Sequence, residues 1–91
     1  MDEQPVEELV GRVSHWYNKI SVMGVTLTGR LAVGDIIRVR GHTTDFTQRV
    51  TSMQAWHQDI AEAGSGDEVG IRAAFRARPG DRVYKVSGIS R

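Results

Sequence analysis

The chain has 91 residues, with 12 Lys and Arg against 11 Asp and Glu, and it contains no Cys. This length accommodates one small domain with a modest core. The lack of cysteine excludes a disulfide framework, a thiol nucleophile and a Cys-ligated metal site. The formal charge of +1 excludes an evenly polybasic protein, and 40% hydrophobic residues are too many for a disordered one.

Charge is distributed unevenly along the chain. Four acids lie within residues 1–8, so residues 9–91 carry a formal charge of +5. Residues 71–91 alone hold six bases against Asp81. We therefore divide the chain into an acidic N-terminal tail, residues 1–8, and one β-rich domain, residues 9–91. The near-neutral total leaves an anionic partner open, because the body of the chain is basic.

Alternation of apolar and polar residues predicts the first two strands. Residues 9–16 alternate with a period of two, which places Val13 on one face and Val10 and Arg12 on the other. Asn18-Lys19 predicts a turn. A second strand is expected to follow over residues 20–28.

The rest of the chain contains three Gly-Asp pairs, and each pair precedes a run rich in β-forming residues. Glycine adopts the positive φ that a tight turn requires, and aspartate hydrogen-bonds its own downstream backbone. Each copy therefore predicts a turn and then a strand. The copies are Gly34-Asp35, Gly66-Asp67 and Gly80-Asp81.

Residues 46–57 form one further long run. A β-bulge near Thr51-Ser52 would place Val50 and Met53 on the same face of that strand. Many short strands with frequent turn signals predict an all-β fold. A small sheet removes its exposed edges by closing, so we predict a single closed antiparallel β-barrel of about six to seven strands.

Motifs for catalysis, cofactors and metals are absent from the sequence. No string has the spacing of a phosphate-binding P-loop or of a dinucleotide-binding glycine motif. His15, His42 and His57 lack the spacing of a metal site, and no serine lies in a nucleophile elbow. We therefore expect no enzymatic activity, no cofactor, no GTP binding and no metal ion.

The sequence also lacks the signals of a membrane or secreted protein. Its longest mainly apolar stretch, residues 20–27, is too short to cross a bilayer. The first ten residues carry four acids and no base, unlike a secretory signal. We therefore expect a cytoplasmic protein without a membrane partner.

Residues 20–35 resemble the second domain of translational GTPases, a small β-barrel. That family's spaced positions are matched by Gly24, Gly29, Leu31 and Val33-Gly34-Asp35. The later segments 66–71 and 80–84 are similar to its Gly-Asp-x-Val-Gly-aliphatic stretch and its closing strand. The resemblance implies a free-standing relative of the barrel that, in elongation factors, helps to hold aminoacyl-tRNA or contacts the ribosome.

Arginines supply the candidate binding surface. Small barrels bind single-stranded nucleic acids by combining a basic groove with exposed aromatic rings. The candidate RNA- or partner-binding residues are Arg38, Arg40, His42, Phe46, Arg72, Arg76 and Arg78. Outward arginines on strands are also typical of an ordinary solvated surface, so their significance depends on whether they converge.

Two functions are open on the sequence alone. The first is a non-enzymatic binding module that contacts tRNA, rRNA or the translation machinery through its barrel surface. The alternative is a protein-interaction or assembly module, a homodimer or a partner adaptor, with no nucleic-acid role. In the alternative, exposed Trp16, Tyr17 and Trp56 would be buried against the partner.

Overall fold

A computed structural model describes residues 6–87 of the chain. The ten strands are β1 (Val6–Tyr17), β2 (Val22–Leu27), β3 (Leu31–Ala32), β4 (Ile36–Arg40), β5 (Asp45–Arg49), β6 (Met53–Ala55), β7 (Gln58–Asp59), β8 (Glu62–Ala63), β9 (Glu68–Arg72) and β10 (Arg82–Ser87). Within this range no residue is helical. Accordingly, no helix of the described chain has the length and apolar character that crossing a membrane requires.

Eight of the strands form one sheet in the order β5-β4-β10-β1-β2-β9-β6-β7, and β3 pairs separately with β8. The strand pairs are antiparallel. The long strand β1 lies at the centre, where Val6 faces Ser87 of β10 and Tyr17 faces Val22 of β2. The predicted all-β, antiparallel class is therefore confirmed.

A single apolar cluster lies on the inner face of the large sheet. Its buried members come from both halves of the sheet and include Val10, Met23, Ile37, Phe46, Met53 and Ile71. Strands near both edges thus contribute to the same core, because β5 supplies Phe46 and β6 supplies Met53. The sheet must curve strongly around this cluster to exclude water from it.

The predicted closure of the sheet into a barrel is not found. Within residues 6–87 the sheet order ends at β5 on one side and at β7 on the other. A side chain bridges part of this gap, because Gln48 Nε2 donates to Arg72 O at 2.8 Å and Ala74 N donates to Gln48 Oε1 at 2.7 Å. The side-chain amide of Gln48 therefore stands where a closed barrel would have a ladder of backbone hydrogen bonds. The sheet is curved but open.

The long strand predicted over residues 46–57 is also wrong. The chain leaves β5 at Val50, whose N–H donates to Asp35 O at 2.8 Å and whose carbonyl accepts from Gly34 N at 2.8 Å. These bonds turn the chain away from the sheet, so β6 starts only at Met53. Val50 and Met53 both reach the core as expected, but through a break between two strands and not through a bulge.

The three Gly-Asp turns are confirmed. The glycines have positive φ values of 101° at Gly34, 93° at Gly66 and 95° at Gly80. Each aspartate accepts a bond from the backbone N–H three residues upstream, not downstream: Asp35 from Ala32 at 2.9 Å, Asp67 from Gly64 at 2.9 Å and Asp81 from Arg78 at 2.8 Å. The carboxylate therefore closes the turn that its glycine makes possible.

Strand β1 departs from the predicted pattern in its start and in its faces. It begins at Val6, so the last three residues of the predicted acidic tail are strand, and residues 1–5 lie outside the described residues. Its register shifts between Leu9 and Gly11 and again between Val13 and His15. Val10 and Val13 are consequently both buried, and Arg12 faces outward.

Candidate anion-binding site

Three arginines lie side by side across the outer face at the centre of the sheet. Arg82 of β10 is directly opposite Arg40 of β4 on one side and opposite Arg12 of β1 on the other. All three residues are exposed. Neighbouring strands are about 4.8 Å apart, so the three side chains cover about 10 Å of the surface. We call these residues the arginine row.

The arginine row concentrates positive charge, which the ion pairs in the described part of the chain offset only at Arg40, through Glu7. Like charges directly opposite each other on neighbouring strands are destabilising. The ion pairs found in residues 6–87 include neither Arg12 nor Arg82, and Arg40 approaches Glu7 only at 3.9 Å. The forked donors of Arg12 and Arg82 therefore remain available to an anion.

A concave pocket of about 500 Å³ adjoins the arginine row. Its lining consists of Arg40, Gly41, His42, Gly80, Arg82 and Tyr84. Two guanidinium groups thus share the pocket with an imidazole and a phenol ring. Charged forks next to flat rings are the elements with which proteins hold the phosphates and bases of single-stranded nucleic acids.

Arg38 lies on the same face but is engaged by carboxylates. Its Nε and Nη2 donate to Asp45 at 2.9 and 3.0 Å, and its Nη1 donates to Glu7 Oε2 at 3.0 Å. These hydrogen bonds lower the pKa of Asp45 and, in turn, raise the pKa of Arg38. Arg38 therefore acts as an anchor for its two carboxylates and is not a free donor for a ligand.

The Asp45–Arg38 pair predicts an acid-sensitive contribution to stability. A carboxyl whose pKa is lowered by folding stabilises the fold above its ordinary pKa of 3.8, and this contribution is lost as the pH falls further. We expect Asp45→Asn to lose less stability than the wild type between pH 5 and pH 2, as measured by urea unfolding. The variant Asp59→Asn, which removes an exposed carboxylate outside this pair, controls for the loss of one negative charge. An unchanged pH dependence in Asp45→Asn would contradict the assignment.

The structure brings together only some of the residues predicted to bind RNA or a partner. Arg38, Arg40 and His42 are neighbours at one end of β4 and the loop that follows it. Phe46 is only 9% exposed and packs in the core, with its ring centroid 5.5 Å from that of Phe75. The prediction that Phe46 offers a stacking face therefore does not fit its position.

The remaining predicted arginines are not among the residues that line the pocket of the arginine row. Arg72 ends β9 and lines a separate depression with Gln48 and Arg49. Arg76 and Arg78 follow in the segment between β9 and β10, where the backbone N–H of Arg78 closes the Asp81 turn. The basic C-terminal stretch is therefore not one continuous binding surface.

Two members of the arginine row were missed by sequence reasoning. Arg12 was placed on the same face as Val10, and Arg82 was assigned only to the last strand. Their approach depends on the pairing of β1 with β10 and on the register shift after Leu9. Neither the pairing nor the shift has a signature in the local sequence.

Comparison with curated proteins gives one informative relative. No family model matches the chain. Over 76 residues, 41% are identical to a protein of Methanocaldococcus jannaschii named "uncharacterized protease". The match covers 82% of this chain but 19% of the relative, so the chain spans about a fifth of the length of the curated protein it matches.

Solved structures share the fold. Two crystal structures of the C-terminal domain of a "putative U32 peptidase" from Geobacillus thermoleovorans superpose with TM-scores of 0.81 and, for a selenomethionine variant, 0.79. The matches cover 86% and 84% of this chain and 91% and 96% of those domains, respectively. At 17% and 16% sequence identity, they demonstrate a common fold and nothing beyond it.

These comparisons overturn the resemblance to the second domain of translational GTPases. The sequence relative is named as a protease, and the fold is shared with the C-terminal domain of a putative U32 peptidase. The residues that suggested the wrong family are mostly turn glycines and Gly-Asp pairs, which small β-domains use because of their backbone geometry. The relatives are named as a protease and a peptidase, which conflicts with the expectation of a non-enzymatic protein.

Proposed function

We propose that this chain is a binding domain of the kind found at the C-terminus of U32 peptidases, and that it contacts single-stranded RNA through the arginine row. The observation that carries the proposal is the direct opposition of Arg12, Arg82 and Arg40 on three adjacent strands. Such an arrangement costs the fold about 0.2–1 kcal/mol per like-charged pair, and a bound anion would offset that cost. The translation machinery has no place in this proposal, because the resemblance that suggested it is wrong.

The chemistry of the pocket favours RNA over an isolated small anion. A single anion would occupy one or two guanidinium forks, whereas the row extends over about 10 Å and offers three. His42 and Tyr84 line the adjoining pocket and supply rings that could stack on unpaired bases. A phosphate backbone with splayed bases matches both features together.

The chemical groups on this surface support a binding function better than a catalytic one. The pocket offers guanidinium donors, an imidazole and a phenol, and the nearby carboxylates of Glu7 and Asp45 are held by Arg38. Acid–base catalysis requires a positioned proton donor and acceptor on either side of a reacting group. The activity implied by the relatives' names would then belong to parts of those proteins outside the matched segment.

The test is a titration of a fluorescently labelled single-stranded RNA with the 91-residue chain at a series of salt concentrations. Three phosphate contacts predict that the logarithm of affinity falls with the logarithm of salt with a slope of about −2. Polyglutamate serves as a control anion without phosphates or bases. Absence of RNA binding at low salt, or equal competition by polyglutamate, would overturn the proposal.

The alternative of a protein-interaction module is supported by a different surface. Tyr17 and Trp56 are exposed there, whereas Trp16 packs against the core. If the interaction module acts by forming a homodimer, sedimentation velocity over a range of protein concentrations will detect the dimer. A strictly monomeric chain would contradict it.

A further inference from the structure

A second groove lies on the outer face beyond the arginine row, between β2, β9 and the turn that joins β6 to β7. It has a volume of about 370 Å³. Its principal lining residues are Tyr17, Ile20, Gly24, Trp56, Glu68 and Gly70, and we call it the Trp56 groove. This volume lies within the range of sites that hold small ligands and side chains.

The floor of the Trp56 groove is formed by two glycines. Gly24 of β2 lies directly opposite Gly70 of β9. A methyl group on Gly70 would lie 3.2 Å from Val22 Cγ1, and one on Gly24 would lie 3.5 Å from Glu68 Oε2. Glycine in a strand interior weakens the strand, and it often marks a place where a ligand approaches the backbone closely.

Large apolar side chains stand around this floor and face solvent. Trp56 is 93% exposed, Ile20 59% and Tyr17 47%. Trp56 and His57 form the two-residue connection between β6 and β7, with φ values of 55° and 62°. Glycine, asparagine, aspartate and histidine are the residues that favour this left-handed conformation, so Trp56 is the strained residue of the turn that holds the indole out in water.

A fixed carboxylate borders the same groove. The two oxygens of Glu68 accept hydrogen bonds from the hydroxyls of Ser14 and Thr26. An ionised carboxylate has about four acceptor positions, so these two bonds orient the group without exhausting it. Glu68 takes part in none of the ion pairs found among residues 6–87.

Aromatic faces next to an oriented carboxylate are suited to a cation with an aliphatic stem. We propose that the Trp56 groove binds a lysine or arginine side chain of an extended polypeptide partner. The cation would lie against Trp56 and Tyr17 and pair with Glu68, and its stem and neighbouring residues would cover Ile20 and the glycine floor. The negative charge of Glu68 opposes a nucleic-acid ligand here, so this site differs in chemistry from the arginine row.

The test compares two blocked pentapeptides that differ only in the central residue. One is Ala-Leu-Arg-Leu-Ala, and the other has norleucine in place of arginine. Binding is followed by the indole N–H signal of Trp56 in two-dimensional NMR spectra of the 91-residue chain. We expect the arginine peptide to bind about tenfold more tightly than the norleucine peptide, which is the scale of a desolvated cation–π contact with an ion pair.

Two variants with matched controls locate the site. Glu68→Gln should reduce the preference for arginine to less than about twofold, whereas Glu62→Gln, at an exposed carboxylate outside the groove, should preserve it. Trp56→Ala should weaken both peptides about tenfold, whereas Phe75→Ala, which removes another exposed ring, should not. For Trp56→Ala the binding is followed by the backbone N–H signal of Gly70.

Several results would overturn the proposal independently of RNA binding. These are equal affinity for the two peptides, an undiminished preference in Glu68→Gln, or no movement of the Trp56 signal at about millimolar peptide, which corresponds to about −4 kcal/mol. Thermal unfolding of each variant shows whether it is folded. A variant that unfolds is replaced by Gly70→Ala, which raises the floor of the groove and should weaken both peptides.

Discussion

The simultaneous replacement of Arg12, Arg40 and Arg82 by glutamine is expected to weaken RNA binding about a hundredfold at low salt. Each substitution removes one charged donor from a phosphate contact, and a loss of about 1 kcal/mol per contact gives this factor. The salt dependence should decline in parallel. Because each contact with a single strand contributes about 0.7 to the slope, the variant should lose about 2 units of it.

A charge-matched control separates the arginine row from the general charge of the protein. Arg30, Arg49 and Arg72 lie outside the row: Arg30 pairs with Glu62, Arg49 donates to Gly34 O, and Arg72 ends β9. Their triple replacement by glutamine changes the net charge equally and should leave most of the salt slope intact. If both triple variants lose the same slope, binding is a property of net charge and not of the row.

Stability provides an independent check on the same residues. Removal of the middle charge by Arg82→Gln relieves repulsion with both neighbours, so the free energy of unfolding should rise by about 0.2–1 kcal/mol. Weaker RNA binding by a more stable variant cannot be attributed to unfolding. A decrease in stability would mean that the arginines are not in mutual repulsion.

The second large effect is expected at the turn between β6 and β7. Replacing Trp56-His57 with Asn-Gly should raise the free energy of unfolding by about 1–2 kcal/mol. Both positions have positive φ, and Asn-Gly is the favoured pair for a two-residue hairpin of this geometry. For a chain of this size, Tm should increase by about 5–10 °C.

The single variant Trp56→Ala is the control for this turn. The variant removes an indole that is 93% exposed. The alanine that replaces it is also unfavourable at positive φ, so the strain of the turn remains. Its unfolding free energy, measured in urea, should therefore stay within about 0.5 kcal/mol of the wild type. If Asn-Gly gives no gain over Trp56→Ala, the turn is not strained, and the exposure of Trp56 needs another explanation.

Local rules were sufficient for the turns of this fold. Gly34, Gly66 and Gly80 each adopt the positive φ that their Gly-Asp pairs predict, and a strand follows each. A glycine and an aspartate determine such a turn through contacts within four residues. The all-β class follows from these turns and from the alternation between them.

Properties that depend on register were not predictable. Strict alternation placed Arg12 with Val10, but the register shift in β1 between Leu9 and Gly11 separates them. The predicted barrel assumed that the outer strands meet, whereas Val50 leaves the sheet and only Gln48 bridges the gap. Such outcomes depend on contacts between residues that are distant in sequence.

The two candidate sites were predicted to different extents. Arg40 and His42 were identified and do line the pocket, because they follow each other closely at the end of β4. Tyr17 and Trp56 were identified as exposed rings for a partner, but the groove around them was not, because Trp56 was assigned to a continuous strand. Its exposure depends on a turn that lacks the usual glycine or asparagine signal.

The position of β10 in the sheet has a consequence for the order of assembly. In the backbone ladders of residues 6–87 the hairpin of β4 and β5 joins β1, β2 and β9 through β10, since the sheet order is β5-β4-β10-β1. Only the side chain of Gln48 also links β5 to the end of β9. Before β10 is in place, the sheet consists of two separate parts with no common ladder. Residues 82–87 follow the other nine strands of the described residues, so translation reaches the strand that unites the sheet after those nine.

The same strand carries Arg82, which stands between Arg40 and Arg12. An incompletely assembled chain therefore lacks both the continuous sheet and the cluster of positive charge. A nascent or partly unfolded chain would present Arg12 and Arg40 on separate pieces, where neither repels the other. On the RNA-binding proposal, the arginine row that would hold the anion is complete only after β10 has joined the sheet.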